Sequence, residues 1–414
     1  MRSGNTFRRA VSAFGLFVAA VSIAGCGGGG DGDSSSSTSS SSGSSSTSAN
    51  NQVAVTVARG VEGVANIPTV SITVCAPGST IDCQTIDNVL VDTMSYGLRL
   101  ANTAASQVLG NLGVETDRSG SQIAECSLFA DGYMWGTVRT ADVKVGGETA
   151  SSVPIAIAGD LSSSAPSSCS DRSVGGALNT VSAIGANGIL GIGVTPYDCG
   201  TSCVEDASDS TYYSCPNGAS CTQTTIALAN QVTNPVTKFS TDNNGVVLAM
   251  ATPASAGSSS VSGTLTFGIG TQSNNTYSAS RKLTTNSYGD VNSTMVSGSY
   301  SGSAFFDSGS NAYFFTDFSL ATCSDSAFYC PSSATTRSVM VSSYSGTSTS
   351  ATVTMAVANA DSLFASGNYA FNDLAGEGVP GTVDIGLPFF YGTSVYFGYD
   401  QTPLGGTQKP YVGL

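Results

Sequence analysis

Two segments of this sequence present an aspartate in the same setting. In residues 89–95, Val-Leu-Val-Asp-Thr-Met-Ser, an apolar stretch leads into Asp92, and in residues 304–310, Ala-Phe-Phe-Asp-Ser-Gly-Ser, a second one leads into Asp307. Two carboxyl groups held within about 3 Å of each other cannot both ionise, so they share a proton and bind one water between them. One then acts as a base on that water and the other as an acid on a substrate carbonyl. The repeat predicts hydrolysis by two carboxyl groups.

The composition excludes several other kinds of function. The chain has 414 residues and no histidine, which removes every histidine-based triad and every histidine metal site. It has 14 Lys and Arg against 28 Asp and Glu, a net charge of −14, so we expect no nucleic acid partner. We also expect no cofactor and no bound metal.

The N-terminal residues 1–26 indicate a bacterial export signal. Arginines precede an apolar stretch that is short for a membrane span, and the segment ends in Ile-Ala-Gly-Cys at residues 23–26. This ending resembles the lipobox of bacterial lipoproteins, which implies cleavage before Cys26 and lipidation of its thiol. An ordinary signal peptide with a chance cysteine is the alternative. Gly27 follows the cysteine instead of Asp, which favours the outer membrane among the sites of the bacterial cell envelope.

A flexible linker is expected next, because residues 27–52 are rich in glycine and serine and contain little that can be buried. Folding should begin near Val53. Many short β-branched segments follow, bounded by Gly, Ser or Pro, and they predict an all-β fold. The strands expected are 53–57, 69–74, 88–91, 136–145, 153–157, 263–267, 300–306, 352–358, 382–385 and 393–399. The short helices expected are 101–109, 225–232 and 361–365.

The cysteines support an exported protein. Ten cysteines remain besides Cys26, an even number that predicts five disulfides in an oxidising compartment. Two pairs flank short turns, and a third is expected in the first half of the chain. These three pairs are Cys75 with Cys83, Cys323 with Cys330, and Cys126 with Cys169. The other four are Cys199, Cys203, Cys215 and Cys221, which admit three connectivities or, as a competing interpretation, a zinc cluster.

The two aspartate segments and several others resemble the pepsin-like aspartic proteases. In that family two related β-lobes each supply one aspartate from an Asp-Thr/Ser-Gly-Ser/Thr loop. Further similar segments occur in the family's order over about residues 53–400, and together they make the resemblance specific. They are 132–147, ending in Val-Lys-Val-Gly-Gly; 187–193, Asn-Gly-Ile-Leu-Gly-Ile-Gly; 263–268, Gly-Thr-Leu-Thr-Phe-Gly; and 384–390 with 395–400.

The resemblance implies a two-lobed all-β fold with pseudo-twofold barrel lobes and a central cleft. The lobes would be 53–245, with a cysteine-rich insertion at 194–224, and 246–400, followed by a tail at 401–414. It also implies catalytic roles for Asp92 and Asp307. Thr93 and Ser308 would lock the two loops together, and Ser95 and Ser310 would hydrogen-bond the outer carboxylate oxygens. A monomer acting on a polypeptide is expected. The run Ser-Tyr-Gly-Leu-Arg at 95–99 further resembles a group of bacterial lipoproteins.

Four positions depart from the family pattern. Met94 stands where the family has glycine, and Phe129 stands where the flap has tyrosine, with Tyr133 as a substitute four residues later. Asn187 replaces an acid and Arg99 a frequent tryptophan. These changes leave two further functions open beside the endopeptidase. One is a catalytically inactive lipoprotein that binds a peptide or glycan at the cell surface. The other is a structural or adhesive surface protein.

Overall fold

The computed structural model describes residues 50–295 and 301–414, and the export signal, Cys26 and most of the expected linker lie outside them. The all-β fold predicted from the sequence is confirmed. The first fifteen strands are β1 (Gln52–Val57), β2 (Pro68–Cys75), β3 (Cys83–Asp92), β4 (Tyr96–Ala101), β5 (Gly113–Val114), β6 (Gln122–Leu128), β7 (Gly132–Val145), β8 (Glu148–Ala158), β9 (Gly176–Ala177), β10 (Gly188–Ile192), β11 (Tyr212–Cys215), β12 (Thr222–Gln223), β13 (Gly245–Met250), β14 (Val261–Phe267) and β15 (Lys282–Thr284).

The remaining nine strands complete two sheets. They are β16 (Val291–Met295), β17 (Ser301–Phe306), β18 (Tyr313–Phe315), β19 (Thr335–Ser342), β20 (Ser350–Val357), β21 (Ala375–Glu377), β22 (Thr382–Ile385), β23 (Ser394–Gly398) and β24 (Tyr411–Gly413). Strands β1–β15, β23 and β24 form a 17-stranded sheet. Strands β16–β22 form a seven-stranded sheet in the order β20-β19-β16-β17-β22-β18-β21. Asp92 belongs to the larger sheet, and Asp307 directly follows β17 of the smaller one.

A central ribbon of antiparallel strands runs through the larger sheet. It pairs β1 with β14, β14 with β13, β13 with β23, β23 with β24 and β24 with β15. The ribbon therefore joins strands from both ends of the described chain. Two expected boundaries shift as a result. β1 begins at Gln52, inside the range assigned to the linker, and the expected tail at 401–414 contains β24.

Burial along the strands explains why the sequence forms them. In β20, Val353 and Met355 are buried while Thr352 and Thr354 are exposed, the period of two that a strand with one wet face requires. By contrast, every residue of β10 is buried, as are the last four residues of β3, Val89 to Asp92. β3 is therefore buried at the end that leads into the loop after Asp92.

Helices are few and short: α1 (Ser167–Ser170), α2 (Val181–Ile184), α3 (Ser202–Glu205) and α4 (Ala360–Ala365). The helix expected at 361–365 is present as α4. Short 3₁₀ turns cover Leu109–Asn111, Pro216–Gly218, Leu228–Asn230, Pro235–Lys238, Leu387–Phe389 and Thr402–Leu404. Within residues 50–295 and 301–414, none of the helices has the length and apolarity to cross a membrane.

The helix expected at 101–109 is wrong, because the side chain of Gln84 binds the backbone groups that such a helix would use. Its Nε2 donates to the carbonyl of Ala104 at 2.7 Å, and its Oε1 accepts from the N–H of Val108 at 3.1 Å. In a helix those two groups would bond to each other. The helix expected at 225–232 is also wrong apart from one 3₁₀ turn. The N–H of Ile226 donates to the carbonyl of Cys203.

Five disulfides are present in the described residues. The three pairs expected from the sequence form, between Cys75 and Cys83, Cys126 and Cys169, and Cys323 and Cys330. The remaining cysteines pair locally, Cys199 with Cys203 and Cys215 with Cys221, which resolves their connectivity. Both sulfurs of each pair are therefore committed, and the zinc interpretation of these four cysteines is wrong.

Candidate active site

The two aspartates end equivalent strands. β3 lies parallel to β10, with Val91 opposite Leu190 and Asp92 opposite Gly191. β17 lies parallel to β22 in the same way, with Phe306 opposite Ile385, so that Gly386 takes the place of Gly191. A pseudo-twofold relation between the halves follows directly from these registers.

Glycine is required beneath each aspartate loop because the backbone passes too close for a side chain. A Cβ at Gly191 would lie 2.6 Å from the backbone nitrogen of Tyr96, and one at Gly386 would lie 2.0 Å from the carbonyl oxygen of Ala312. Both distances are below van der Waals contact. These two glycines let β10 and β22 support the loops from below.

Both carboxyl groups border the same point beside Gly309. A Cβ built on Gly309 would lie 2.9 Å from Oδ1 of Asp92 and 3.1 Å from Oδ1 of Asp307. The two oxygens are therefore no farther apart than the sum of these distances, about 6 Å, which is within one water-bridged span. The structure brings together the two aspartates that the sequence singled out.

The hydroxyl groups that follow the aspartates lock the loops together. Thr93 Oγ1 donates to the carbonyl of Phe306 at 2.8 Å and accepts from the N–H of Ser308 at 2.9 Å. In return, Ser308 Oγ donates to the carbonyl of Val91 at 2.7 Å. Thr93 and Ser308 are buried, so these contacts are shielded from water. This is the arrangement that the sequence resemblance implied for the two residues.

Ser310 and Ser95, the expected partners of the outer carboxylate oxygens, behave differently. Ser310 Oγ lies 2.8 Å from Oδ2 of Asp307, as expected. Ser95 bonds Asp92 through its backbone N–H at 3.2 Å instead, and its buried hydroxyl has no hydrogen-bond partner among the described residues. The expectation for the Ser95 hydroxyl is therefore wrong: the bonds from this loop to Asp92 come from the backbone N–H groups of Met94 and Ser95, and both end on Oδ1.

Met94 occupies its loop position without loss of the backbone contact. Its N–H donates to Oδ1 of Asp92 at 2.8 Å, and the N–H of Gly309 donates to Oδ1 of Asp307 at the same distance. The Met94 side chain lies against the turn at Gly289, where a Cβ would be 3.2 Å from its sulfur, with Val194 beside it. The long side chain is accommodated between the larger sheet and the turn that precedes β16.

The electrostatic environments of the aspartates differ. Burial raises the pKa of Asp307 well above its usual range, and the neighbouring carboxyls of Asp92 and then Asp384 raise it further. Asp384 lies in β22 and was not identified from the sequence. Burial likewise raises the pKa of Asp384 well above its usual range, and Asp92 adds to that effect. Asp307 is thus the carboxyl of the pair that favours a proton.

Tyr96 is close enough to Asp92 to be affected by its charge, and the buried Arg99 contacts Tyr96. The sequence did not reveal either relation. Burial raises the pKa of Tyr96, with added contributions from Asp290 and Asp92, which places the phenol in the field of the aspartate. Arg99 Nη1 donates to the Tyr96 carbonyl at 2.7 Å. Its Nη2 binds Glu125 at 2.5 Å and Asp198 at 3.3 Å. The position where the family often has tryptophan thus holds a buried ion network.

The network around Arg99 contains two acids and one base. Burial opposes ionisation of Glu125, but Arg99 holds the pKa of Glu125 below its usual range. Burial and then the Glu125 charge raise the pKa of Asp198 well above its usual range. The Tyr212 hydroxyl donates to Asp198 Oδ1 at 2.6 Å. In this network Glu125 balances the charge of Arg99, and Asp198 favours its protonated form.

The expected flap residues lie in or next to the β6–β7 hairpin. Phe129 is in its connecting turn, where its N–H donates to the Gly132 carbonyl at 2.8 Å. Its ring packs against the cluster that contains Leu90 and Ile189. Tyr133 packs instead against the cluster around Trp135 and the Cys126–Cys169 disulfide. Phe129, and not Tyr133, is thus beside the strands that support Asp92.

Comparison with known proteins gives a family and a structural likeness. The model of the family described as "Protein of unknown function (DUF3443)" matches residues 47–414. Among solved structures, the crystal structure of aspartic proteinase from Irpex lacteus is similar with a TM-score of 0.47 and 16% identity. The likeness covers 87% of this chain and 96% of that one. The comparison with curated proteins finds no match.

Proposed function

The chain belongs to the DUF3443 family, and we propose that it is an aspartic endopeptidase in which Asp92 and Asp307 hydrolyse a peptide bond through one water. The observation that carries the proposal is the shared position of the two carboxyls beside Gly309, with both Oδ1 atoms within about 3 Å of one point. The crossed bonds of Thr93 and Ser308 fix that geometry.

The two carboxyls take different roles. Asp92, whose Oδ1 accepts two backbone N–H groups, has the role of the base. Asp307 has the raised pKa and carries the proton. In the first step Asp92 removes a proton from the water, the water oxygen bonds to the carbonyl carbon, and Asp307 donates its proton to the carbonyl oxygen. A neutral tetrahedral diol results.

The second step restores both groups. Asp92 gives its proton to the amide nitrogen, the carbon–nitrogen bond breaks, and one diol hydroxyl returns a proton to Asp307. The products are a carboxylic acid and an amine, and no other reactant is consumed. Because the starting state has one proton on the pair, cleavage should be favoured at acid pH and lost when Asp307 ionises.

Cleavage of a mixed peptide library from pH 3 to pH 7 tests the proposal, using the parent protein, Asp92→Asn and Asp307→Asn. We expect each variant to lose at least about 1,000-fold in rate, since each removes one partner of the acid–base pair. Binding of a statine-type transition-state mimic, which needs both carboxyls, is the second measurement. Activity that survives Asp307→Asn would place the chemistry elsewhere.

An inactive peptide- or glycan-binding protein is the second candidate, and Phe129 favours it. The flap position that has a hydroxyl in the resembling family carries a phenyl ring here, packed into an apolar cluster. If neither the parent nor Met94→Gly cleaves any peptide or binds the statine-type mimic, the binding protein replaces the endopeptidase.

We further propose that a lipid on Cys26 tethers the protein to the bacterial cell envelope, most simply the outer membrane. The support is the sequence of residues 23–26 and the glycine that follows. Expression of the full chain and of Cys26→Ala in a bacterial host tests this. The parent should partition into detergent and carry acyl mass on its N-terminal peptide, and the variant should do neither.

A further inference from the structure

A third carboxyl, Asp384, is joined to the proposed catalytic pair through one serine. Ser310 Oγ lies 2.8 Å from Oδ2 of Asp307 and 2.6 Å from Oδ2 of Asp384. Asp384 is opposite Phe305 of β17 and Phe314 of β18, in the strand directly below the Asp307 loop. Its other oxygen, Oδ1, is buried with no hydrogen-bond partner among the described residues.

The number of available hydrogens determines the direction of the two hydrogen bonds that join Asp307, Ser310 and Asp384. A serine hydroxyl has one hydrogen, so Ser310 can donate to only one of the two carboxyls. Both contacts are at hydrogen-bond distance, so at the other contact the carboxyl must donate to Ser310 Oγ, and one carboxyl carries a proton. Which of the two carboxyls carries the proton depends on the charges around them.

The charges nearest these groups have one sign. Asp92 acts on Asp307 and on Asp384, and Asp384 acts on Asp307; the strand neighbours of Asp384 are the phenyl rings of Phe305 and Phe314. A negative charge on Asp384 therefore makes it harder for Asp307 to lose its proton.

We propose that Asp384 is a positioning residue of the active site: above the pH at which Asp384 itself ionises, its carboxylate accepts the hydrogen of Ser310, which lets Ser310 Oγ accept the proton-bearing oxygen of Asp307. The proposal rests on the proposed function and deepens it. The chain Asp307–Ser310–Asp384 keeps the catalytic proton on Asp307 and leaves Asp92 as the base. Its consequence is that the pair keeps its proton, and the enzyme its activity, to a higher pH than two carboxyls alone would allow.

The pH dependence of kcat/KM tests this in the full chain with Asp384→Asn, which keeps the shape without the charge, and with Asp384→Ile. The second variant copies Ile189, the residue at the equivalent position of β10. In both, the alkaline midpoint should fall by at least about 1 pH unit, because the charge that opposes ionisation of Asp307 is gone. Ser310→Ala should lower the midpoint less, since it removes the hydrogen bond and leaves the charge.

Asp373→Asn is the matched control. Asp373 is a partly buried carboxyl of the same half whose charge acts on Tyr313. It should leave the alkaline midpoint where it is in the parent. If both Asp384 variants have the same alkaline midpoint as the parent, the proposal is overturned and Asp384 is a purely structural residue. Thermal unfolding at acid pH shows whether each variant is folded, and the two variants differ enough that failure of one leaves the other.

Infrared titration of protonated carboxyls separates this proposal from the proposed function. The band lost in Asp307→Asn belongs to Asp307, and its midpoint is measured in the parent and in Asp384→Asn. A lower midpoint in the variant supports the chain Asp307–Ser310–Asp384 even in a protein that cleaves nothing. An unchanged midpoint overturns it even in an active enzyme.

Discussion

The loop that carries Asp92 and the loop that carries Asp307 share their backbone contacts and differ in their side chains. In each loop the N–H two residues after the aspartate donates to its Oδ1 at 2.8 Å. That residue is Met94 in one loop and Gly309 in the other. The hydroxyl of the serine that follows has no hydrogen-bond partner within the described part of the chain in the first loop, and it joins two carboxyls in the second.

The strands beneath the loops differ as well, and in a reciprocal way. In the first half Ile189 of β10 is opposite Arg99 of β4, and in the second half Asp384 of β22 is opposite Phe314 of β18. Each half thus places one charged residue in this pair of positions, but on opposite strands. Arg99 is neutralised by Glu125, whereas Asp384 is held by a serine. Equivalent backbones can therefore support two aspartates whose surroundings carry different side chains.

Replacing Arg99 should have the largest effect of the substitutions proposed here, and the quantity that changes is the free energy of unfolding. Arg99→Met leaves Glu125 buried without its cation, and we expect the free energy of unfolding to fall by about 3–5 kcal/mol. Urea unfolding measures it. Arg337→Met, which breaks the less buried pair with Asp317 in the other half, should cost less than Arg99→Met.

A second change at Glu125 sharpens the Arg99 experiment. Adding Glu125→Gln to Arg99→Met removes the unpaired charge and should recover part of the loss. Equal losses in Arg99→Met and Arg337→Met would show that the Arg99 network contributes no more than the less buried pair of Arg337 and Asp317.

Gly309→Ala should disturb the Asp307 loop, although Met94 is accommodated at the equivalent position of the Asp92 loop. The new Cβ would lie 2.8 Å from Cγ of Asp92, so the carboxyls must move apart. A displacement of about 1 Å costs on the order of 100-fold in rate, and we expect at least that loss in kcat/KM.

Met94→Gly is the matched change in the other loop. It removes a side chain that contacts the turn at Gly289, and it retains the N–H to Asp92, so the rate should be unchanged or higher. A larger loss from Met94→Gly than from Gly309→Ala would contradict the comparison of the two loops.

The pH dependence of stability should reveal the buried carboxyl of the second half. The pKa of Asp384 is raised in the folded state, so its contribution is fully present below the unfolded pKa and is lost as the pH rises through the folded pKa. Asp384→Asn does not titrate and avoids this loss. The variant should therefore gain on the parent as the pH rises from about 4, by at most about 1.4 kcal/mol per pH unit.

Urea unfolding of the parent and Asp384→Asn at pH 4, 5, 6 and 7 measures the difference. A difference that stays constant over this range would mean that the Asp384 carboxyl is as easily ionised in the folded protein as in the unfolded chain.

Ser95→Ala should have the smallest effect. The hydroxyl is buried without a partner among the described residues, and the bond to Asp92 comes from the backbone N–H. We expect the free energy of unfolding to stay the same or to rise by up to about 1 kcal/mol. A fall of more than 1 kcal/mol would assign the hydroxyl a contact that the first loop does not otherwise show.

The aspartate loops could be predicted from the sequence because their signal is local and occurs twice. The site role of Asp384 could not be predicted. The segment 384–390 belongs to the family resemblance, but Val-Asp-Ile in a strand does not by itself mark its aspartate as a site residue. Its role depends on the register that places β22 beside β17, which the chain sets through contacts about 80 residues apart. The partners of Arg99 are likewise 26 and 99 residues away. The false helix at 101–109 has the same origin, since Gln84 comes from a different strand.

The central ribbon sets the order in which a newly made chain can assemble. β1 pairs with β14. The pairing of β13 with β23, where Gly245 lies opposite Gly398, and that of β15 with β24 both require strands much later in the sequence. Contacts this distant in sequence are slow to close because the loop entropy must be lost first. Until residues 394–413 are in place, the chain has open strand edges, which are sites for wrong pairing. The ribbon that joins the two halves can therefore close only after its most distant strands, β23 and β24, are available.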